Sequence, residues 1–197
     1  MASKLDEYLD SLPSGLNSFE LCRAKGSLVR TSFALAPLRA VERLPLALRA
    51  YVATPPLATQ WIPETHYVAL SLAAADEHGF EREQFREFWR RVMHGLTDGM
   101  YSTLLGLVHP ETLIKTTATR WAHFHEGTTV SATRADAGVA VHFEFATGLF
   151  PELIVEGYAG VLQGLIDRSR KPEGRATRSG LTVRGARTVA SYLLNGW

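Results

Sequence analysis

The sequence predicts an α+β protein, an N-terminal helical layer packed on a C-terminal four-stranded antiparallel sheet in ββαββ order. Three observations predict it. Apolar residues recur at helical spacing through the front of the chain, most plainly at Phe85, Phe88, Trp89, Val92, Leu96 and Met100. Val139, Val141, Phe143 and Phe145 alternate with Ala140, His142 and Glu144, the two-residue period of a half-buried strand. The strand-like stretches come in pairs joined by short turns, as antiparallel neighbours do.

Residues 1–18 are polar, with a short helix over Asp6 to Leu12. Phe19 to Arg30 alternates loosely and reads as a short hairpin or strand with a turn at Gly26. Leu35 to Val52 is apolar at helical spacing. Pro37 and Pro45 cut it into two short helices, because a proline lacks the amide hydrogen a helix interior needs. Ala53 to Ile62 is a proline-bearing loop, and Pro63 opens a helix that Gly79 stops. The next helix spans about Glu81 to Leu107, with Glu83, Arg86, Glu87, Arg90 and Arg91 on a solvated face. Pro110 opens another helix, carrying Leu113, Ile114, Thr117 and Trp121.

A hairpin follows, Thr128 to Arg134 against Val139 to Phe145, turning over residues 135–138. Pro151 to Arg168 is an amphipathic helix in which Gly157, Gly160 and Gly164 let a neighbouring backbone approach closely. A second hairpin pairs Arg175–Val183 with Arg187–Leu194. The expected organisation is one α+β domain over 1–197: a polar segment 1–18, a mainly helical part 19–125, and a sheet with one helix over 126–197.

Composition excludes more than it selects. Of 197 residues, 46% are hydrophobic and 21% charged, which excludes a disordered tail, a collagen-like repeat and a coiled coil. A net charge of +1 supplies no global field for nucleic acid. The single cysteine, Cys22, cannot form an internal disulfide and reads as structural. No secretory apolar run follows Met1, and no stretch reaches the ~20 apolar residues that span a bilayer. A cytoplasmic protein without a membrane partner is therefore expected.

The segment Cys22-Arg23-Ala24-Lys25-Gly26, then Trp61-Ile62-Pro63-Glu64, then the helix from Phe80, resembles a paralogous family of uncharacterised bacterial proteins of about this length, abundant in myxobacteria. So does the end: the Thr128–Phe145 hairpin, Gly157-Tyr158-Ala159-Gly160 in a helix, and a strand ending in Trp197. That layout is similar to vinyl-reductase-type small-molecule-binding domains and, more distantly, to haem nitric-oxide sensor domains. The resemblance implies a ligand cavity between helices and sheet, and no catalytic residues. Haem sensors carry a Tyr-x-Ser-x-Arg motif. The strand taken to correspond reads Thr129-Val130-Ser131-Ala132-Thr133-Arg134, without the tyrosine, so the resemblance does not carry haem to this chain.

Candidate groups follow from residue chemistry. Trp61, Tyr67, Trp89, Trp121 and Tyr101 with His94 form the candidate ligand pocket; Phe85 belongs to the same aromatic set, and plain core is the competing reading. His123 and His125 would share a face of a strand and are weak metal candidates, with Glu126 or His142 as further ligands; surface histidines are the competing reading, and no metal is assigned. Arg175, Arg178, Arg184 and Arg187 form a basic patch within a local excess of five positive charges, of a kind that meets a nucleotide, nucleic acid or an acidic partner; a solvated sheet edge is the competing and favoured reading. No haem or nucleotide motif is present, and no Ser-His-acid set can be linked by spacing. The expected function is a non-catalytic small-molecule-binding or sensory module with an apolar pocket. The alternatives are a ligand-free assembly module forming a homodimer and a metal-dependent protein using His123 and His125.

Overall fold

The computed structural model describes residues 3–98 and 106–197. Seven α-helices and seven strands are described: α1 Lys4–Ser11, β1 Arg23–Lys25, α2 Gly26–Leu35, α3 Leu46–Ala53, β2 Trp61–Pro63, α4 Glu64–His78, α5 Arg82–Thr97, α6 Pro110–Arg120, β3 His125–Glu126, β4 Thr129–Ala135, β5 Gly138–Ala146, α7 Glu152–Asp167, β6 Arg175–Arg184 and β7 Arg187–Asn195. The mixed α+β class and the C-terminal antiparallel sheet are as the sequence predicts.

That sheet has the order β4-β5-β7-β6, every neighbour antiparallel. Its two central strands bury alternate residues: Val139, Val141, Phe143 and Phe145 on β5, and Ala190, Tyr192 and Leu194 on β7. Helix α7 connects β5 to β6 and lies against this face. The Tyr158 ring stacks on Phe143 with centroids 4.6 Å apart, and the Tyr192 hydroxyl donates to the Val155 carbonyl at 2.6 Å.

Helix α5 packs on α7 along the glycine row. A Cβ on Gly157 would meet the Trp89 ring at 2.8 Å, one on Gly160 the Arg86 carbonyl oxygen at 2.1 Å, and one on Gly164 the Arg90 carbonyl oxygen at 2.9 Å. Missing side chains thus set the distance between the two helices. Ion pairs flank the seam: Arg86 with buried Glu156, Arg90 with Asp167, and Arg178 of β6 reaching Glu156 at 3.1 Å. The arginines assigned to a solvated face of α5 therefore also fasten it to α7, while Arg86–Glu83 at 3.0 Å and Arg90–Glu87 at 3.2 Å form local pairs at i,i+3 spacing.

Several boundaries differ from the sequence reading. Of the short hairpin or strand expected over Phe19–Arg30, a three-residue strand is present, and Gly26 opens α2 in place of a turn; the buried Leu28, Val29 and Ser32 of α2 lie at helical spacing. Between Pro37 and Pro45 there is only a 3-10 turn, Val41–Arg43. Helix α5 ends at Thr97; the expected continuation to Leu107 falls largely on residues outside those described, as do Met100 and Tyr101. Gly79 adopts φ 65° and closes α4, a conformation costly for any residue with a Cβ.

A second, three-stranded sheet of order β2-β1-β3 was not foreseen. Ala24 of β1 sits between Ile62 and His125, and Arg23 between Pro63 and Glu126. These short strands bring the start of α4 beside the segment that leads into β4. Among the described residues no helix is long and apolar enough to cross a membrane.

Candidate functional site

Three amphipathic helices each turn part of an apolar stripe towards one cavity of about 830 Å³. Helix α5 presents Trp89, Val92, Met93 and Leu96, the i, i+3, i+4, i+7 pattern of one face. Helix α6 presents Leu113 and Thr116, and α7 presents Tyr158, Val161 and Leu165. Leu28 of α2 and the turn carrying Trp121, His123 and Phe124 complete the wall with His125. Arg120 and His123, both exposed, stand where the cavity meets solvent.

One buried polar pair stands at this largely apolar wall, with one member in it and the other behind. His125 is 3% exposed and Glu64 1%. The His125 Nδ1 lies 3.0 Å from one Glu64 carboxylate oxygen and 3.2 Å from the other. The small sheet positions both: Ala24 pairs with His125 across β1–β3, and the Glu64 amide donates to the Cys22 carbonyl at 2.9 Å just beyond the β1–β2 pairing. The imidazole stacks on Trp121, centroids 3.9 Å apart and planes 9° off parallel, and the Trp121 indole N–H donates to Thr128 Oγ1 at 2.8 Å. The ring is thus held by a carboxylate at one edge and an aromatic face beneath. Glu64 does not line the cavity, whereas His125 does.

Tyr158 closes the site from α7. Its phenol is held well above the ordinary tyrosine value, first by burial and then by the charge of Glu64, so it stays protonated. Cys22 is buried nearby, and burial, then Glu64, raises its thiol against the opposing pull of Arg187. That environment suits an inert structural thiol.

The remaining sequence candidates are placed as follows. Trp89 and Trp121 line the cavity. Tyr67 lies behind Trp89, edge-on with centroids 5.6 Å apart and its hydroxyl 3.3 Å from Ser32 Oγ. Trp61 is on β2, with the Lys25 ammonium 3.7 Å over its ring. His94 points to Asp167, with Nε2 3.0 Å from Oδ2, and is not part of the wall. Tyr101 is outside the described residues. His123 and His125 do not share a strand face: His123 ends a 3-10 turn and is exposed, while His125 is buried in β3. Among the described residues no group of three His, Cys, Asp or Glu side chains gathers to hold a metal. In the basic patch, Arg178 pairs with Glu156 and Arg187 with Glu144 at 3.4 Å, Arg175 donates to backbone carbonyls, and Arg184 is exposed.

Asp167 anchors the far end of the α5–α7 seam. Burial alone would raise its carboxyl, yet hydrogen bonds from Arg90, Gln163 and His94 together hold it below the ordinary value. A depressed carboxyl stabilises the fold above the unfolded value, near pH ~4, and that contribution is lost as pH falls through the lower folded value. Replacing Asp167 by Asn is expected to lower the urea midpoint at neutral pH and to flatten its decline on acidification. Urea melts over a pH series would show this; a variant with the parent's full acid dependence would contradict it.

No protein-family model and no curated protein sequence matches the chain. Solved structures do. A haem protein studied for redox potential modulated by porphyrin distortion superposes with a TM-score of 0.62 at 11% identity, over 87% of this chain and 99% of that one. An oxygen-binding H-NOX domain related to soluble guanylate cyclases gives 0.59 at 10%, over 86% and 91%. An H-NOX protein from S. oneidensis in its Fe(II)NO state gives 0.56 at 10%, over 87% and 99%. The mixed architecture, with helices packed against a four-stranded antiparallel sheet, is the fold of the H-NOX domains.

Proposed function

We propose that this chain is a non-catalytic sensory module that binds one small, largely apolar molecule in the cavity between α5, α6 and α7. The observation that carries this is the cavity itself: about 830 Å³, within the ~300–1,000 Å³ usual for ligand sites, walled mainly by apolar side chains, with one buried imidazole, His125, oriented by Glu64 behind it. The H-NOX fold supports the reading, since neighbours of that fold are described as haem proteins and oxygen binders.

Haem, named for one neighbour, does not fit the residues present. Haem asks for an iron donor with a free lone pair and for charge partners to two propionates. The described face of α6 in the cavity carries Thr112, Leu113, Thr116 and Arg120, none of them an iron donor. Tyr158 is held as the neutral phenol. Arg120 is the one permanent cation among the described wall residues. Of the two imidazoles in the wall, His123 is exposed at the rim, and His125 is engaged by Glu64 through Nδ1 and stacked on Trp121. With one permanent cation for two propionates and no donor on α6, the favoured occupant is an organic molecule without a metal.

Native mass spectrometry of the full chain purified from its own cells tests the reading. The expected result is one retained organic molecule per chain, lost on denaturation. Stoichiometric haem, or a wild-type chain that neither retains nor takes up any apolar molecule, would overturn it.

A further inference from the structure

We propose that the ligand is an apolar monocarboxylic acid, and that His125, oriented by Glu64, donates from Nε2 to its carboxylate. This rests on the cavity being a ligand site. Two observations that reading does not use point to the acid.

The first is proton accounting in the buried pair. Glu64 and His125 are both withdrawn from water, and the Glu64 carboxyl group has no other side-chain partner among the described residues. Glu64 takes up Nδ1, so Nε2, on the ring edge away from it, is the nitrogen left for an occupant, and it meets no hydrogen-bond partner among the described residues. Since His125 lines the cavity and Glu64 does not, that edge is the one offered. A carboxylic acid brings its own proton: Nε2 takes it as the acid's O–H bond breaks, and the resulting N–H donates to the carboxylate while Nδ1 stays on Glu64.

The second is the sign of the wall. No Asp or Glu is among the described residues that line the cavity, whereas His125, His123 and Arg120 are. Arg120 makes no ion pair among the described residues, so its charge is available to balance an incoming anion. A carboxylate gains a charge-assisted hydrogen bond and this positive field together; an ester or alcohol of equal length gains neither in full. One buried donor and one permanent cation suit one carboxylate, with the remainder of the molecule on the apolar faces of α5, α6 and α7.

Calorimetric titration of the full chain with laurate and with methyl laurate, both below their aggregation limits, tests this. Laurate is expected to bind one per chain and about ten- to a hundredfold more tightly than the ester. His125→Phe keeps an aromatic ring on Trp121 and should remove that preference. Because it leaves Glu64 unpaired in the core, the double variant Glu64→Leu, His125→Phe is measured beside it; removing both partners spares the fold and should give the same loss. Equal binding of acid and ester, or a variant that folds and keeps the laurate preference, would overturn the acid while leaving the cavity reading intact. Binding of neither probe would overturn both.

Discussion

Gly160→Ala is expected to destabilise the fold by about 3 kcal/mol or more, despite adding one methyl group. The methyl carbon would lie 2.1 Å from the Arg86 carbonyl oxygen, and that atom is backbone inside α5. It cannot rotate aside as a flexible side chain would. Either α5 moves off α7, opening the contacts of Trp89 and Met93, or the helix hydrogen bond at Arg86 bends. Both weaken the seam that also forms two walls of the cavity. Gly180→Ala is the control, since a Cβ there meets nothing within 4 Å and the backbone is not left-handed. It should change stability by less than ~0.5 kcal/mol. Denaturant midpoints compare the two, and a Gly160→Ala protein as stable as Gly180→Ala would show that the helices do not need this approach.

Trp89→Ala should cost about 3–5 kcal/mol. The indole is 3% exposed and packs near Tyr67, Phe85, Phe88 and Tyr158, with centroids between 5.6 and 6.3 Å. It serves both of the roles the sequence left open, since it is core on one side and cavity wall on the other. Trp89→Phe should cost much less than the alanine change. The Trp89 indole N–H is buried without a partner among the described residues, facing Gly157, and phenylalanine removes that donor. Melts with and without a saturating apolar ligand separate the roles. The alanine variant should lose stability in both conditions and gain less from ligand than the parent. A small loss in the ligand-free protein would mean that Trp89 is not part of the core.

How far the sequence discloses this molecule depends on the length of the pattern each element carries. Strands β5 and β7 are nine residues each and bury alternate side chains, so their period is long enough to see. The strands of the small sheet are two or three residues long and have no period. Helix α2 opens on Gly26 and Ser27 with no capping side chain, which hides its start, whereas Pro63, Pro110 and Pro151 mark the starts of α4, α6 and α7.

The candidate site was legible in part for the same kind of reason. Trp89 and Trp121 declare themselves as large aromatics, but helical spacing does not say whether a wall faces another side chain or a cavity. Tyr67 has the same spacing and lies one layer behind. Glu64 stands in the first turn of α4, a place for an acid that the helix dipole alone explains. Its partner His125 is 61 residues away and is brought beside it only by the small sheet. Long-range pairing through very short strands leaves no local trace, and so the pair was missed while each member was in view.

The central claim is that three helices of this fold enclose a binding cavity. The most direct measurement is a fluorescence titration of the native full chain with N-phenyl-1-naphthylamine, a neutral apolar dye, beside the variant Thr116→Trp. Thr116 is a half-buried wall residue on α6, so an indole there fills cavity space without entering the packed core. The account predicts saturable binding of one dye per chain to the parent, and a large loss of affinity in a variant whose denaturant midpoint is unchanged. No saturable binding by the parent, or equal binding by both proteins, would contradict it.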